Sequence, residues 1–370
     1  MTRSASNPHP SRPRPREAGV ATGILPTGPH NAITDVPGVA VGHATVVAGE
    51  DVRTGVTVIL PHTGNVFQEK VPAAVFVANG FGKLVGATQV NELGTLETPI
   101  ALTGTLNVWR VADALTDWVL SLRGNADLSS VNPVVGECND GYLSDTRLHP
   151  VGREHVMEAL ASASRGPVPE GCVGAGTGTR CLGWKSGIGT ASRRLPPSLG
   201  AWTVGALVQS NFSFGVLTIA GVPVGVELGR HSFRDELAES DRGSCMVVIA
   251  TDAPVDARQL MRIAARMPMG LARVGSFASN GSGDYAIAFT ANPACRVPND
   301  ASGTRVAPVL ADDDLSPLFL AVVEGTEEAV LSSLFAAETT RGFEGHVVEA
   351  LPIERVLKLL RLRGALSTEW

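Results

Sequence analysis

At 370 residues, with 44% apolar and 18% charged side chains, the chain has material for a sizeable buried core in one large domain or two. A net charge of −6, with only four lysines (Lys70, Lys83, Lys185 and Lys358), argues against nucleic acid as a partner. No apolar stretch approaches the ~18 residues of a membrane span, and the N-terminus lacks the apolar core of a secretory signal.

Residues 1–22, rich in proline and arginine, are expected as a disordered tail, with a single domain over 23–370. Strand signals follow at 39–43, 53–60 and 73–77, where β-branched residues concentrate. Asn79 to Lys83 reads as a loop, Glu92 to Thr98 as polar chain and Pro99 to Leu102 as a short buried strand. From Val108 to Leu122 apolar residues recur at three and four, the pattern of a helix with one buried face. Val134 and Val135 open a strand that runs into the polar turn Asn139-Asp140-Gly141. A second helix is expected over 155–164.

Residues 171–190 are dense in glycine, but no helix follows at once and the Walker spacing is absent. Close backbone packing near a site is the better reading. Strands are expected at 202–209 and 216–220, with Val222 to Val226 continuing the sheet at an edge. Residues 229–243 are polar, as an exposed loop requires. Thr251 to Pro254 reads as a helix start, with Leu260, Ile263, Ala264 and Met267 as its buried stripe. Asn280 to Asp284 is a turn before the strand at 285–289, and helices close the chain at 315–337 and 353–362. Strands and helices alternate in blocks, which predicts an α+β fold with mixed sheets layered by helices.

One short stretch stands out chemically. Gly243-Ser244-Cys245 follows the polar loop and opens the apolar run Met246 to Ala250. A hydroxyl after a glycine, at the head of a strand, is the form of a self-cleaving junction. Gly243 has no Cβ to shield its carbonyl from the Ser244 hydroxyl. Cleavage there frees a serine that holds nucleophile and base together, since its α-amine (pKa about 7.7–8.0 when unperturbed) can take the hydroxyl proton. Cys245, one residue on, is expected on the opposite face of the strand as a packed thiol. The five cysteines have no metal-ligand spacing and read as reduced thiols of a cytoplasmic protein. No histidine pair has metal spacing either.

Gly136-Glu137-Cys138-Asn139-Asp140-Gly141-Tyr142, then Lys185-x-Gly-Ile-Gly-Thr-Ala-Ser192, then Gly243-Ser244 with Val-Val-Ile-Ala-Thr-Asp-Ala-Pro occur in that order. Together with Arg53 to Thr57, Val208 to Phe212 and Glu327-Glu328-Ala329, they resemble the P1 family of aminopeptidases, the family of the L-aminopeptidase D-amidase/esterase and the β-peptidyl aminopeptidases. The resemblance runs from about Gly23 to near the C-terminus. It implies an αββα four-layer sandwich similar to N-terminal nucleophile hydrolases with different connectivity. It implies self-cleavage of the catalytic domain into an α chain, 1–243, and a β chain, 244–370, assembled as a homo-oligomer of αβ heterodimers. It implies no metal or organic cofactor, and small peptides, amides or esters as substrates, without nucleic-acid or membrane partners.

The resemblance also implies roles. Ser244 matches the nucleophile. Ser282 and Asp284 match a Ser-Gly-acid pair that would relay to the amine or hydroxyl of Ser244 and orient it. Alternate positions put those two on one side, so both are expected to reach Ser244. Asn211 matches the oxyanion-hole asparagine, a donor whose loss typically costs roughly 10²–10³ in kcat. Glu137 matches the acid that receives the substrate's free amino group, and Tyr142 a tyrosine near the reacting carbonyl. Asn139 and Asp140 are expected only to shape the turn. The alternatives are an endo-acting amidase of the nylon-oligomer hydrolase type, which typically carries threonine at the nucleophile, the related ornithine acetyltransferase fold, which also favours threonine, and a non-processed binding protein.

Overall fold

Alternate residues of a strand face opposite sides, and where both sides are apolar a sheet must be covered twice. The computed structural model describes residues 12–232 and 243–366, and its strands meet that demand. In chain order they are β1 (Ala40–Ala48), β2 (Val52–Leu60), β3 (Glu69–Gly80), β4 (Leu84–Val85), β5 (Thr95–Leu96), β6 (Ile100–Gly104), β7 (Val134–Cys138), β8 (Arg180–Cys181), β9 (Trp184–Lys185), β10 (Ile188–Arg194), β11 (Thr203–Ser210), β12 (Gly243–Thr251), β13 (Ser282–Thr290), β14 (Val297–Pro298), β15 (Thr340–Arg341) and β16 (Val347–Val348). The helices are α1 (Ala87–Leu93), α2 (Val108–Ser121), α3 (Arg153–Ala161), α4 (Val224–Glu227), α5 (Ala257–Ala264), α6 (Met267–Arg273), α7 (Ser316–Ala336) and α8 (Ile353–Leu362).

One sheet runs β1-β2-β6-β7-β4 and the other β10-β11-β12-β13-β3-β14, with β5 on the side of β3. Pairing is antiparallel except for β6 with β7 and β12 with β13. Three apolar cores fill the spaces between layers. Val56, Val58, Ala101 and Val135 pack on α2 and α3. Ile59, Leu102, Val134, Met246, Val248 and Ile287 pack between the sheets. Val208, Cys245, Val247, Ile249 and Ala286 pack under α5, α6 and α7. The order helix, sheet, sheet, helix is the expected αββα sandwich.

Several local expectations need correction. Residues 216–220 form no strand. Val216 and Thr218 donate their backbone N–H to Gly275 and Val274, so this chain is tied to the end of α6. Val222 to Val226 turns into the one-turn helix α4 instead of a sheet edge. The helix expected to start at Thr251 starts at Ala257, because β12 runs through Thr251 and Asp256 supplies the cap by accepting from the Gln259 N–H. The stretch expected as polar chain, Glu92 to Thr98, instead takes in the end of α1 and β5. The loop expected over 229–243 falls mainly at 233–242, outside the described residues.

The expected tail over 1–22 is also corrected from Arg12 onward, since Val20 is fully buried. The reason is electrostatic. Arg12 donates to the carbonyls of Phe335 and Leu351, and Arg14 to those of His30, Asn31 and Thr190. Arg16 pairs with Glu328 at 2.8 Å. Glu328 and Glu324 of α7 also hold Arg193 of β10, at 2.6 and 2.9 Å, with all three side chains buried. Burial opposes ionisation of Glu328, yet Arg193 and then Arg16 hold its carboxyl below its ordinary value. Glu328→Ala leaves Arg193 with Glu324 alone and Arg16 without its carboxylate, so one positive charge of the buried cluster goes uncompensated. The substitution should cost about 3–5 kcal/mol, read as a lowered urea midpoint. A loss below about 1 kcal/mol, the range of exposed pairs, would mean this cluster is not what holds the segment down.

Candidate active site

Strand alternation builds the site. On β12 the side chains of Met246 and Val248 enter the space between the sheets, so Ser244 faces the same way and Cys245 faces the helices. Asn211 follows β11 directly across from Ser244. Their backbones exchange both hydrogen bonds, Asn211 N–H to the Ser244 carbonyl at 3.0 Å and Ser244 N–H to the Asn211 carbonyl at 3.2 Å. Directly paired residues project to one face, so the Asn211 side-chain amide reaches the Ser244 Oγ, at 3.4 Å. Arg180 N–H donates to Asn211 Oδ1 at 3.1 Å and fixes which end of the amide points inward.

The opposite wall comes from β7. Gly136 lets β7 press on β12, since a Cβ there would lie 2.8 Å from Met246 Sδ. The turn after β7 then puts the Asn139 N–H 3.2 Å from Ser244 Oγ, while the Asn139 carbonyl accepts from Asn211 Nδ2 at 2.9 Å. Ser244 is 2% exposed, so two N–H donors converge on a buried hydroxyl. Such an arrangement can stabilise negative charge developing beside that oxygen. No histidine hydrogen-bonds to Ser244 among the described residues.

Ser282 and Asp284 are together, with Ser282 Oγ donating to Asp284 Oδ1 at 2.9 Å. They do not face the Ser244 hydroxyl. β13 pairs in parallel with β12, Ser282 opposite Gly243 and Asp284 opposite Cys245, so both side chains take the Cys245 face. Alternation put them on one side, as expected, but the register chose the other side from Oγ. Ser282 Oγ instead lies 3.3 Å from the Cβ position of Gly243, beside the Gly243–Ser244 peptide.

Glu137 is 3% exposed. Its Oε1 accepts from the Lys83 backbone N–H at 3.1 Å and from Lys83 Nζ at 3.3 Å, and Lys83 Nζ also donates to Thr105 Oγ1. Its Oε2 is buried without a hydrogen-bond partner among the described residues. Tyr142 is 36% exposed, with its ring held between Arg180, at 4.0 Å, and the parallel ring of His346, at 4.2 Å. Burial pushes the Cys245 and Cys138 thiols well up, which makes poor nucleophiles of both. The glycine-dense segment packs backbone against backbone. A Cβ at Gly178 would lie 2.0 Å from the Arg53 carbonyl oxygen and 2.9 Å from Asp140 Cβ, so no cradle opens there for a phosphate.

The sequence profile of peptidase family S58 matches residues 31–348. The chain belongs to peptidase family S58. This S58 peptidase is 38% identical to the β-peptidyl aminopeptidase BapA of Sphingosinicella microcystinivorans over 371 residues, 94% of this chain and 92% of that protein. Its fold superposes on the PH0078 protein of Pyrococcus horikoshii OT3 with TM-score 0.87 at 46% identity, covering 95% of this chain and 99% of that one. It superposes equally, at TM-score 0.87 and 36% identity, on the L-aminopeptidase D-Ala-esterase/amidase of Ochrobactrum anthropi, with 96% and 100% covered. That structure is described as a prototype for the serine aminopeptidases and a new variant of the Ntn hydrolase fold. The S58 chain shares that fold variant and is a hydrolase of the peptidase class.

Sequence reasoning missed three contributors to the S58 site: Lys83, Arg180 and the Asn139 N–H. Lys83 directly precedes β4, the partner strand of β7, and Arg180 opens β8, so both are far in sequence from the residues they meet. The third acts through its backbone, which no side-chain pattern reveals. Asp140 is a fourth surprise. It lies buried beneath the turn, and burial pushes its carboxyl up to about 7. The folded protein therefore keeps a proton that the unfolded chain releases near 3.8. Between those two values the folded state binds more protons, so rising pH costs stability. Asp140→Asn removes that contribution, and the variant should gain on wild type between about pH 4 and about pH 7 in urea midpoints. Glu170, also raised to about 7 by burial, keeps its own part of the slope. Parallel curves for variant and wild type would rule the assignment out.

Proposed function

We propose that the chain is a self-processing N-terminal-nucleophile serine aminopeptidase and amidase. It releases N-terminal residues, α- or β-amino acids, from small peptides, amides or esters. The observation that carries the reading is the buried Ser244 hydroxyl at the head of β12, met by the Asn139 N–H and the Asn211 amide. Ser244 Oγ attacks the Gly243 carbonyl, the peptide passes to an ester, and water releases residue 244 as a new N-terminus. In turnover the freed α-amine takes the hydroxyl proton as Oγ attacks the substrate carbonyl. The same proton then goes to the leaving amine, and water clears the acyl-enzyme. Asn211 and the Asn139 N–H face the tetrahedral oxygen.

Ser282 and Asp284 act on the amine. The α-amine lies in the plane of the sheet, so a hydroxyl on the Gly243 side meets it once Gly243 leaves, and Asp284 orients that hydroxyl. Glu137 receives the substrate ammonium on its open Oε2, and an endo-acting amidase has no use for a buried carboxylate there. Tyr142, held flat by its neighbours, keeps the lesser part of polarising the carbonyl. Five free thiols suit a cytoplasmic protein, working as a homo-oligomer of αβ heterodimers.

Intact mass and N-terminal sequencing test the first step. Wild type should resolve into fragments 1–243 and 244–370, the smaller beginning Ser-Cys-Met, and Ser244→Ala should stay whole. A wild type that turns over aminoacyl amides as an uncut chain would overturn the processing mechanism. Asn211→Ala should lower kcat by roughly 10²–10³ in any processed material. Glu137→Gln should lower kcat/KM for free-amine substrates far more than for N-acetylated ones.

A further inference from the structure

Charges of opposite sign flank the nucleophile, and among the described residues only one of them has a charged partner. Ser244 sits on β12 between β11 and β13. Glu137 lies on the β13 flank. A Cβ at Gly283, the register partner of Ser244, would lie 3.1 Å from Gly82 Cα, and one at Gly82 would lie 3.4 Å from Glu137 Oε1. Arg180 lies on the β11 flank, where its N–H holds Asn211 Oδ1. Its guanidinium stacks on the Tyr142 ring at 4.0 Å, and that ring is backed by His346.

The Arg180 guanidinium makes no hydrogen bond or ion pair among the described residues, and only the aromatic face holds it. The arginines of the buried cluster behave differently, since Arg14, Arg16 and Arg193 all meet carboxylates. An Arg pre-set on an aromatic ring with its fork open is suited to bidentate binding of a carboxylate.

We propose that Arg180 is a specificity-determining residue that receives the free C-terminal carboxylate of a short peptide substrate. The inference rests on the aminopeptidase reading above and narrows its substrate class to zwitterionic short peptides. With the ammonium at Glu137 and the scissile carbonyl at Ser244, the leaving residue extends toward the β11 flank. One residue spans about 3.3–3.6 Å, so in a dipeptide the carboxylate follows closely after the scissile bond. Longer peptides and C-terminal amides would leave the guanidinium unmatched.

The test compares an aminoacyl-alanine with its C-terminal carboxamide in kcat/KM. Wild type should prefer the free acid. Added salt should shrink that preference, because screening weakens a half-exposed charge pair. Arg180→Met keeps an apolar stem over Tyr142 and removes the charge. It should cut the acid-to-amide ratio about tenfold, the size of one charge-assisted contact, and Arg180→Lys should restore part of it. An unchanged ratio in Arg180→Met overturns the proposal. So does a wild type that turns over both substrates with no preference, and that result needs no variant to fold. A wild type inert toward both substrates fails at the aminopeptidase reading itself, and this proposal falls with it.

Discussion

The site depends on how closely two sheets meet face to face. β7 and β12 belong to different sheets, and their contact is set where Gly136 yields to Met246. Because that contact is tight, the turn leaving β7 arrives at Ser244 with a backbone N–H in hydrogen-bonding range. The other donor, Asn211, comes from the neighbouring strand of the second sheet. The hydroxyl is therefore gripped by one group from each layer. Neither sheet alone would make the pocket, and any sliding of one layer over the other would separate the donors. The helices outside both sheets, with their own apolar cores, oppose such sliding.

Buried charge divides into two kinds, and the difference locates function. Arg193, Glu324 and Glu328 are buried but mutually paired, with their remaining hydrogen bonds filled by Thr22, Asn31 and backbone. That cluster is finished and binds the first described segment to α7. Glu137 is buried but unfinished. Lys83 neutralises it through one oxygen and leaves the other empty. Arg180, half-buried on the other side of Ser244, has no carboxylate partner among the described residues. Burying polar groups without partners is costly, and in the proposed function the substrate's two charged ends fill these two places.

Strand alternation also gives the two faces of β12 different duties. The inner face carries the Ser244 hydroxyl, and the outer face carries Cys245 beside Ser282 and Asp284. In the proposed mechanism the groups that attend the amine and those that attend the oxyanion are thus separated by the sheet, and only the backbone of residue 244 belongs to both. This arrangement suits a residue that uses its own amine as base.

Much of this was legible in the chain. The 3.6 period of α2, the apolar runs of β11 to β13 and the block order of strands and helices led to a layered α+β fold, and helices α7 and α8 fell where periodicity put them. The outward turn of Cys245, and Ser244, Asn211 and Glu137 as residues that gather at one place, could be named because period-2 alternation and motif order are local properties. The failures were equally local in cause. Residues 216–220 look like a strand by composition but spend their hydrogen bonds on the end of α6, and Arg12 to Thr22 look like a tail until α7 offers them carboxylates. Sequence put Ser282 and Asp284 on one side, but only the parallel register with β12 decided which side. Lys83 and Arg180 were invisible for the same reason. Composition and periodicity fix what a residue can do and which way it faces along its own strand. Which distant group it meets is set by register and layer packing, and those exist only once the sheets have closed on each other.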